Sequence, residues 1–353
     1  MVSISLQKTS FLFGKRFLNL LIIFSIADCI FQISLGGFVR VTSSGLGCPD
    51  WPLCFGTFGF DVSAEDQAAW WAENPEEIDS RGENHRYTTF QIFTEWFHRL
   101  LAGSILGPLV ILQFLIVRKQ NLSLSVESQR LASLSLVLVI WQGFIGYVTV
   151  KWDNEHWSVV LHLISALIFT LSLIALHISW RRDLGENMQI RTVNKTMNRL
   201  LIATVGSLVV LLVGTFVSTT EGANQACGVS GIPYSWPLCS GTLGLIIQDV
   251  FIQSQAIHRW LVIIVLSILI WLWWTRFDWA PDERIRNLSN IATCTFVGNM
   301  ALGAAYVISW TKESGFIEWL SVLHLLLASL TFLIFSSSLI LIYIHGIQKN
   351  EEE

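Results

Sequence analysis

Charge is scarce in this sequence. Asp, Glu, Lys and Arg make up only 14% of the 353 residues, while 52% are hydrophobic. This balance excludes an ordinary soluble domain and favours a polytopic membrane protein. Basic residues are not in surplus, because the formal net charge is −4, so we expect no nucleic-acid partner. The apolar runs are continuous and do not alternate with polar residues, which argues against a transmembrane β-barrel.

Eight apolar runs are long enough to cross the hydrocarbon layer, which takes roughly 20 helical residues. They lie near Phe17–Val39, Phe90–Val117, Leu131–Val150, Trp157–Trp180, Leu200–Val217, Ile252–Trp274, Leu288–Trp310 and Phe316–Ile344. The sequence therefore predicts an all-α polytopic membrane protein with eight transmembrane helices in the lipid bilayer.

Basic residues concentrate in alternate connectors, and connectors of that kind stay on the cytoplasmic side. They are Lys8, Lys15, Arg16, Arg118, Lys119, Arg130, Arg181, Arg182, Arg191, Lys195, Arg199, Arg276, Arg284 and Arg286. The first and fifth connectors are then outside, and both termini are cytoplasmic. The first apolar run is too long for a cleavable signal peptide and lacks a cleavage site.

Cysteines are few, yet four of the six fall as pairs in the two outward connectors. Cys48 and Cys54 enclose a Trp-Pro-Leu run, and Cys227 and Cys239 flank a second copy of it. Because an oxidising compartment permits disulfides, a bridge within each loop is predicted. Zinc ligation or free thiols are the alternatives.

The two loops belong to an internal repeat. Residues 37–56 resemble residues 214–241, residues 95–99 resemble 255–259, and residues 161–166 resemble 323–328. The repeat predicts two pseudo-symmetric four-helix bundles, residues 1–190 and 191–353, that run parallel about an axis along the membrane normal.

Four histidines occupy matching positions in the even-numbered spans: His98, His162, His258 and His324. Within one bundle the two imidazoles lie at similar depth on diagonal helices, where they can ligate haem iron from both sides. The alternative is that each histidine hydrogen-bonds a neighbouring helix. Four such residues at matched depth favour ligation, because intramembrane ionisable groups are costly and usually functional.

Other polar residues accompany these spans. Arg99 and Arg259 directly follow their histidines and can reach either haem propionates or lipid headgroups. Asp28 and Gln32 lie four residues apart in the first span, where they serve either helix packing or proton movement. The residues alone do not choose between these roles.

Several motifs carry a family resemblance: Gly36–Cys48, Trp51–Cys54, Glu95–Arg99, Gln142–Val150 and the two Leu-His-Leu runs. Together they resemble the haem A synthase family of cytochrome oxidase assembly proteins, over about residues 17–345. The resemblance implies a bacterial plasma-membrane enzyme that oxidises the C8 methyl of haem O to the formyl of haem A. It also implies that the added oxygen comes from water and that electrons leave through a second haem.

The resemblance also implies which residues carry the chemistry. His258 and His324 would hold a resident haem B, while haem O enters and haem A leaves between His98 and His162. Glu95 stands where the second half has Gln255. A carboxylate can take protons and stabilise an electron-poor carbon, so Glu95 is predicted to be catalytic. The alternative is that Glu95 only pairs with Arg99.

The first half contains an acidic insertion, residues 61–86, that the second half lacks. With Trp70 and Trp71, the insertion predicts a short surface helix. The insertion either covers the first haem pocket, binds a partner or is solvated and has no role in the chemistry.

A second functional class is a non-catalytic di-haem carrier of haem or electrons, which predicts two equivalent sites. Haem O synthase and a quinone or other electron acceptor are the expected partners. The sequence leaves the oligomeric state open.

Overall fold

The computed structural model describes residues 2–118, 124–220, 222–244 and 249–348. In this part of the chain eight helices are long and apolar enough to cross a membrane, which confirms the predicted all-α polytopic architecture. Lys119 of the second connector, residue 1 and residues 349–353 lie outside the described residues.

The spans correspond one for one to the predicted apolar runs. They are α1 (Val2–Val41), α3 (Thr89–Leu100) continuing into α4 (Gly107–Val117), α5 (Val126–Lys151), α6 (His156–Asp183), α7 (Asn194–Thr219), α8 (Val250–Trp274), α10 (Glu283–Ile308) and α11 (Glu318–His345). The short helices α2 (Ala64–Glu73) and α9 (Arg276–Trp279) lie in connectors.

Several helices begin earlier than the apolar runs that predicted them. Polar residues cap these starts: Ser125 accepts from the backbone N–H of Ser128 before α5, and Asp282 accepts from the N–H of Arg284 before α10. A side-chain oxygen at this position satisfies one of the free backbone donors of the first turn. The helix therefore extends into sequence too polar to be counted in the apolar run.

The second span differs from the continuous helix that the sequence predicts. Between α3 and α4 lies a π-helical segment of six residues, Leu101–Leu106, and the N–H of Gly107 bonds to the carbonyl of Ala102. Pro108 follows in the first turn of α4. Because proline lacks an N–H and crowds the carbonyl four residues earlier, a wider turn accommodates it. This irregular turn comes directly after His98 and Arg99.

The chain forms two compact units. One is Met1–Asn154 with Ser165–Asn187, and the other is Glu155–Ile164 with Met188–Glu353. In the first unit, small hydroxyl residues join helices within the membrane: Ser128 bonds to Ser179 and Ser135 bonds to Ser172, each at 2.9 Å. Small residues allow close helix approach, and their hydroxyls add interhelical hydrogen bonds.

The second unit has a larger apolar core around the fully buried Trp279 and Phe335. Two short parallel strands, β1 (Ile190–Thr192) and β2 (Gly346–Gln348), pair beside it. They join the connector before α7 to the chain after α11, a pairing that the sequence did not predict because three-residue strands give too short a pattern.

Candidate functional site

Helix α3 begins with a capping box. Thr88 accepts from the N–H of Gln91 at 3.3 Å, and the Gln91 side chain accepts from the N–H of Thr88 at 3.0 Å. Gln91 also donates to the carbonyls of Thr42 and Ser43 at 3.4 and 3.3 Å, at the end of α1. These bonds fix the start of α3 against α1 and so set the depth of Glu95, two turns further along.

Glu95 is buried, with 5% of its surface exposed. Its Oε1 accepts from Nε of Arg99 at 2.8 Å. The other Arg99 nitrogens donate to three backbone carbonyls: Nη2 to Cys48 at 2.6 Å, and Nη1 to Asp50 and Leu53 at 2.5 and 3.1 Å. Arg99 therefore joins the carboxylate of Glu95 to the loop that carries the first cysteine pair.

That loop, residues 42–57, is the first cysteine loop, and a disulfide between Cys48 and Cys54 closes it. The Asp50 carboxylate braces it further by accepting from the N–H groups of Phe55 and Gly56 at 2.7 and 2.8 Å. A closed and braced loop holds its carbonyls in fixed directions, so three of them can converge on Arg99.

The acidic insertion contains the predicted short helix α2, and it packs on the first cysteine loop. The ring centroids of Trp70 and Trp71 lie 5.5 and 5.6 Å from that of Phe55, and Trp71 and Tyr87 are buried in a cluster with both cysteines. Burial, together with the Asp79 carboxylate, raises the pKa of the Tyr87 phenol. The insertion thus covers the disulfide; a role in haem or partner binding stays a prediction.

His98 lies on α3 against the end of α1. A Cβ built on Gly36 would lie 3.7 Å from its Cε1, which is ordinary contact. His162 lies on α6 within Glu155–Ile164, which belongs to the second unit. That the two ligate one haem stays a prediction.

The second unit brings its two predicted histidines together. The rings of His258 and His324 have centroids 6.4 Å apart and planes inclined by 81°. Nδ1 of His324 lies 2.9 Å from the carbonyl of Asn299. A carbonyl can only accept, so His324 carries its proton on Nδ1 and leaves the lone pair of Nε2 for another partner.

Glycines lie against both of these rings. A Cβ on Gly214 would fall 2.8 Å from Cε1 of His258, and one on Gly303 would fall 2.8 Å from Cε1 of His324. Any side chain at these positions would displace the ring. Sequence reasoning missed both glycines and Asn299, although a polar Asn within an apolar span was a usable signal.

This geometry suits one iron atom held between two imidazoles. A metal–imidazole bond is about 2 Å long, so two ligands on opposite sides of one ion place their ring centroids about 6 Å apart. The observed 6.4 Å agrees with that separation. The separation is compatible with two ligands of one iron atom; that His258 and His324 hold a haem stays a prediction.

Arg259 occupies the place in the second unit that Arg99 has in the first. Its Nη1 donates to the carbonyls of Ser235 and Leu238 at 2.8 and 2.5 Å. Both lie in the second cysteine loop, residues 222–244, which the disulfide Cys227–Cys239 closes. Each arginine therefore binds carbonyls of its own cysteine loop, and contact with haem propionates stays a prediction.

Gln255 differs from Glu95 in its hydrogen bonding as well as its charge. Its Nε2 donates to the carbonyl of Ala223 at 3.1 Å, a bond that an ionised carboxylate cannot make. The second unit therefore has a neutral side chain that anchors the loop, where the first has a carboxylate bound to an arginine.

Eight helices that are long and apolar enough to span a membrane define a multi-pass membrane protein, and its second unit brings two intramembrane histidines close together. The chain belongs to the COX15-CtaA family of cytochrome oxidase assembly proteins, because its residues 19–336 match the model of that family. This confirms the resemblance found in the sequence motifs.

Curated relatives cover much of the chain at modest identity. A protein of Shouchella clausii named "Heme A synthase" is 27% identical over 88% of this chain and 92% of its own. One of Rhodospirillum centenum with the same name is 25% identical over 80% and 78% of the two chains. One of Flavobacterium johnsoniae, also so named, is 27% identical over 68% and 71%.

Proposed function

We propose that this protein is an enzyme of haem A formation, which oxidises the C8 methyl of haem O to the formyl of haem A during cytochrome oxidase assembly. The family match and the relatives named "Heme A synthase" support the substrate and the product. The two units of this chain supply the residues for the reaction.

The overall reaction sets what those residues must do. Converting a methyl and one water molecule to a formyl group releases four protons and four electrons. The formyl oxygen comes from the water, and the electrons pass to a quinone or another acceptor of the membrane. The site therefore needs a proton acceptor beside the substrate and a route for electrons away from it.

One observation carries the assignment: the buried carboxylate of Glu95 lies one helical turn from His98, where the second half has Gln255. Residues three apart on a helix share a face, so Glu95 lies beside any group that His98 ligates. Of the two similarly shaped side chains only the carboxylate can accept protons and stabilise positive charge on the reacting carbon.

In this proposal His98 and His162 hold the substrate iron, and Glu95 takes protons from the attacking water and from the methyl carbon attached at C8. Arg99 positions Glu95, because its Nε donates to Oε1 at 2.8 Å. The first cysteine loop in turn orients Arg99 through three carbonyls. Pairing with Arg99 is therefore compatible with a catalytic Glu95.

His258 and His324 are proposed to hold haem B. The centroid separation of 6.4 Å and the hydrogen bond from Nδ1 of His324 to Asn299 support this. Haem B, when bound there, supplies one-electron transfer. The Gln255 amide beside His258 does not take part in proton transfer, and it binds the second cysteine loop instead.

The proposal places the two sites in an N-terminal bundle, residues 1–190, and a C-terminal bundle, residues 191–353. It also places the protein in a bacterial plasma membrane with both termini cytoplasmic, in keeping with the basic connectors. A haem O synthase is the expected donor, since its product is too apolar to diffuse through water.

Haem extraction and chromatography of the purified protein test the proposal. We expect haem B together with haem O and haem A, and a rise of haem A as haem O falls when an electron acceptor is added. Haem B alone in both sites, unchanged by acceptor, would overturn the proposal and favour a di-haem carrier.

A further inference from the structure

One face of α1 carries a row of buried polar side chains that the mechanism above does not use. Ser25, Asp28 and Gln32 are all at most 8% exposed. Their spacing places them on one face of the helix with Gly36, one turn beyond Gln32. Gly36 contacts the His98 ring, so the row leads from the membrane interior to the ring of His98.

Most polar atoms of this row have no protein partner. Ser25 Oγ accepts from Nε2 of Gln113 at 2.6 Å. In contrast, Oδ2 of Asp28, Oε1 and Nε2 of Gln32 and Oε1 of Gln113 are buried and make no hydrogen bond to the described residues. Buried polar atoms are normally satisfied by protein or by ordered water. This set contains both donors and acceptors, which is the combination that water matches.

In the second half, the matching positions of α7 carry no polar side chain. Gly214 contacts His258 as Gly36 contacts His98, and the residues eight and four positions before Gly214 are Gly206 and Val210. These replace Asp28 and Gln32. Because α7 forms the matching span with Gly206 and Val210 at these two positions, helix packing does not require Asp28 and Gln32 there.

The row is closed at the end away from His98. Leu18 and Ile22, the next residues on this face, are fully buried, and they pack with Val117, Leu176 and Trp180. These side chains close the row toward the N-terminal end of α1.

We propose that Asp28 and Gln32 form a hydrated, proton-accepting site inside the first unit. The site is closed toward the N-terminal end of α1 and opens beside His98. Its role rests on the proposed function, since methyl oxidation releases more protons than Glu95 can hold at once. Water held by Gln32 passes a proton to the Asp28 carboxylate, which returns it by the same path. The apolar plug at Leu18 and Ile22 keeps that proton from crossing the membrane.

Thiol reactivity tests the hydration and does not depend on activity. Gln32→Cys and its matched control Val210→Cys are made in a Cys29→Ala, Cys294→Ala background and treated with a small methanethiosulfonate reagent. The thiolate is the reactive form, and a thiol in contact with water ionises more readily than one in an apolar environment. A decrease of one unit in the thiol pKa raises the thiolate fraction about tenfold. We therefore expect Gln32→Cys to react about tenfold faster than Val210→Cys, or more. Equal, slow reaction of both thiols would overturn the site. Ser25→Cys with Ala203→Cys is the second pair if the first does not fold.

Asp28→Asn tests proton acceptance. We expect haem O conversion to fall about tenfold or more, with haem B content unchanged, because the amide cannot take a proton. Cys29→Ala, beside Asp28 but off the row, is the control and should convert haem O normally. Wild-type conversion by Asp28→Asn would overturn the proton-accepting role. Absence of haem A formation in the wild type would instead refute the proposed function and leave the thiol result standing.

Discussion

Nε of Arg99 donates to Oε1 of Glu95 at 2.8 Å, between residues four apart on one helix. Both side chains are largely buried, with 12% and 7% exposed. The same arginine binds carbonyls of Cys48, Asp50 and Leu53. Its corresponding residue Arg259 binds two loop carbonyls, but the position four residues before it is an amide. A loop-bound arginine is thus common to both halves, and the carboxylate belongs to the first.

Glu95→Gln is expected to block haem A formation while haem binding persists. The amide keeps the shape and can still accept from Arg99, but it cannot take a proton, so we expect a loss of about 10²-fold or more. Haem O should accumulate in the extracted pigment. Glu77→Gln, which removes the carboxylate paired with Lys151 in the same unit, is the control. Haem A formation near the wild-type rate in Glu95→Gln would remove Glu95 from the chemistry.

Arg99→Lys is expected to slow haem A formation without releasing haem B. Lysine retains the charge but cannot bind Glu95 and three carbonyls at once, so the carboxylate loses its fixed direction. We expect a reduction of about tenfold in the rate and faster reduction of Cys48–Cys54 by dithiols, since the loop loses its contacts. Arg259→Lys is the matched control and should leave Cys48–Cys54 unaffected. Unchanged rate and unchanged disulfide reduction would refute the positioning role.

His258→Ala and His324→Ala should each remove most of the low-spin haem B absorbance from the purified protein. Each variant lacks one of the two imidazoles that would hold the haem, so the haem would be bound weakly. His177→Ala, in the first unit, should retain the absorbance. A full haem B spectrum in both variants would mean that haem B is held elsewhere.

Gly303→Ala should weaken haem B binding although Gly303 is not itself a proposed haem ligand. The new methyl would lie 2.8 Å from Cε1 of His324 and must push the ring away. Overpacking of this kind costs about 1–3 kcal/mol, which corresponds to roughly tenfold or more in affinity. Gly298→Ala on the same helix is the control, because its methyl would meet only Leu327, at 3.9 Å. Equal haem B retention in both variants would show that the ring tolerates displacement.

Asp282 gives the second unit a defined pH dependence. The Arg284 side chain and the backbone N–H groups of Arg191 and Arg284 lower the pKa of Asp282 to about 2. A depressed folded-state pKa stabilises the protein above the unfolded value of 3.8, and this stabilisation is lost as pH falls from there toward 2. Asp282→Asn keeps a cap for α10 but removes the charge, so we expect a loss of about 1–2 kcal/mol at pH 7.

Thermal unfolding in detergent as a function of pH measures this effect. The difference between wild type and Asp282→Asn should shrink as pH approaches 2. Asp249→Asn is the control, because Asp249 caps α8 through the N–H groups of Phe251 and Ile252. A difference that stays constant with pH would contradict the charge-based account.

Some of the fold followed from local sequence alone. The eight spans were predicted from apolar length, and the short helix α2 from the composition of the insertion. The π segment after His98 was not, although Pro108 was visible, because whether a proline kinks, ends or widens a helix depends on which carbonyls find other partners. The β1–β2 pair was missed for the same kind of reason: its strands are short and 153 residues intervene between Thr192 and Gly346.

The candidate site shows the same division. Matching positions in the repeat identified His258 and His324, but their 6.4 Å separation, the carbonyl of Asn299 and the glycines against each ring required coordinates. Arg99 was expected near propionates or lipid, and only its position beside the folded loop showed that three carbonyls converge on it.

The sequence by itself determined that this chain crosses the membrane as helices, where its polar cysteine loops fall and which residues the two halves hold in common. Those properties depend on the length and composition of single segments, because an apolar run of sufficient length must satisfy its own backbone hydrogen bonds in lipid. Only the tertiary structure decided which side chains meet. Helix rotation and tilt are set by packing against neighbouring helices. Successive side chains point about 100° apart round the helix axis, so a small rotation of the helix changes which of them faces a neighbour.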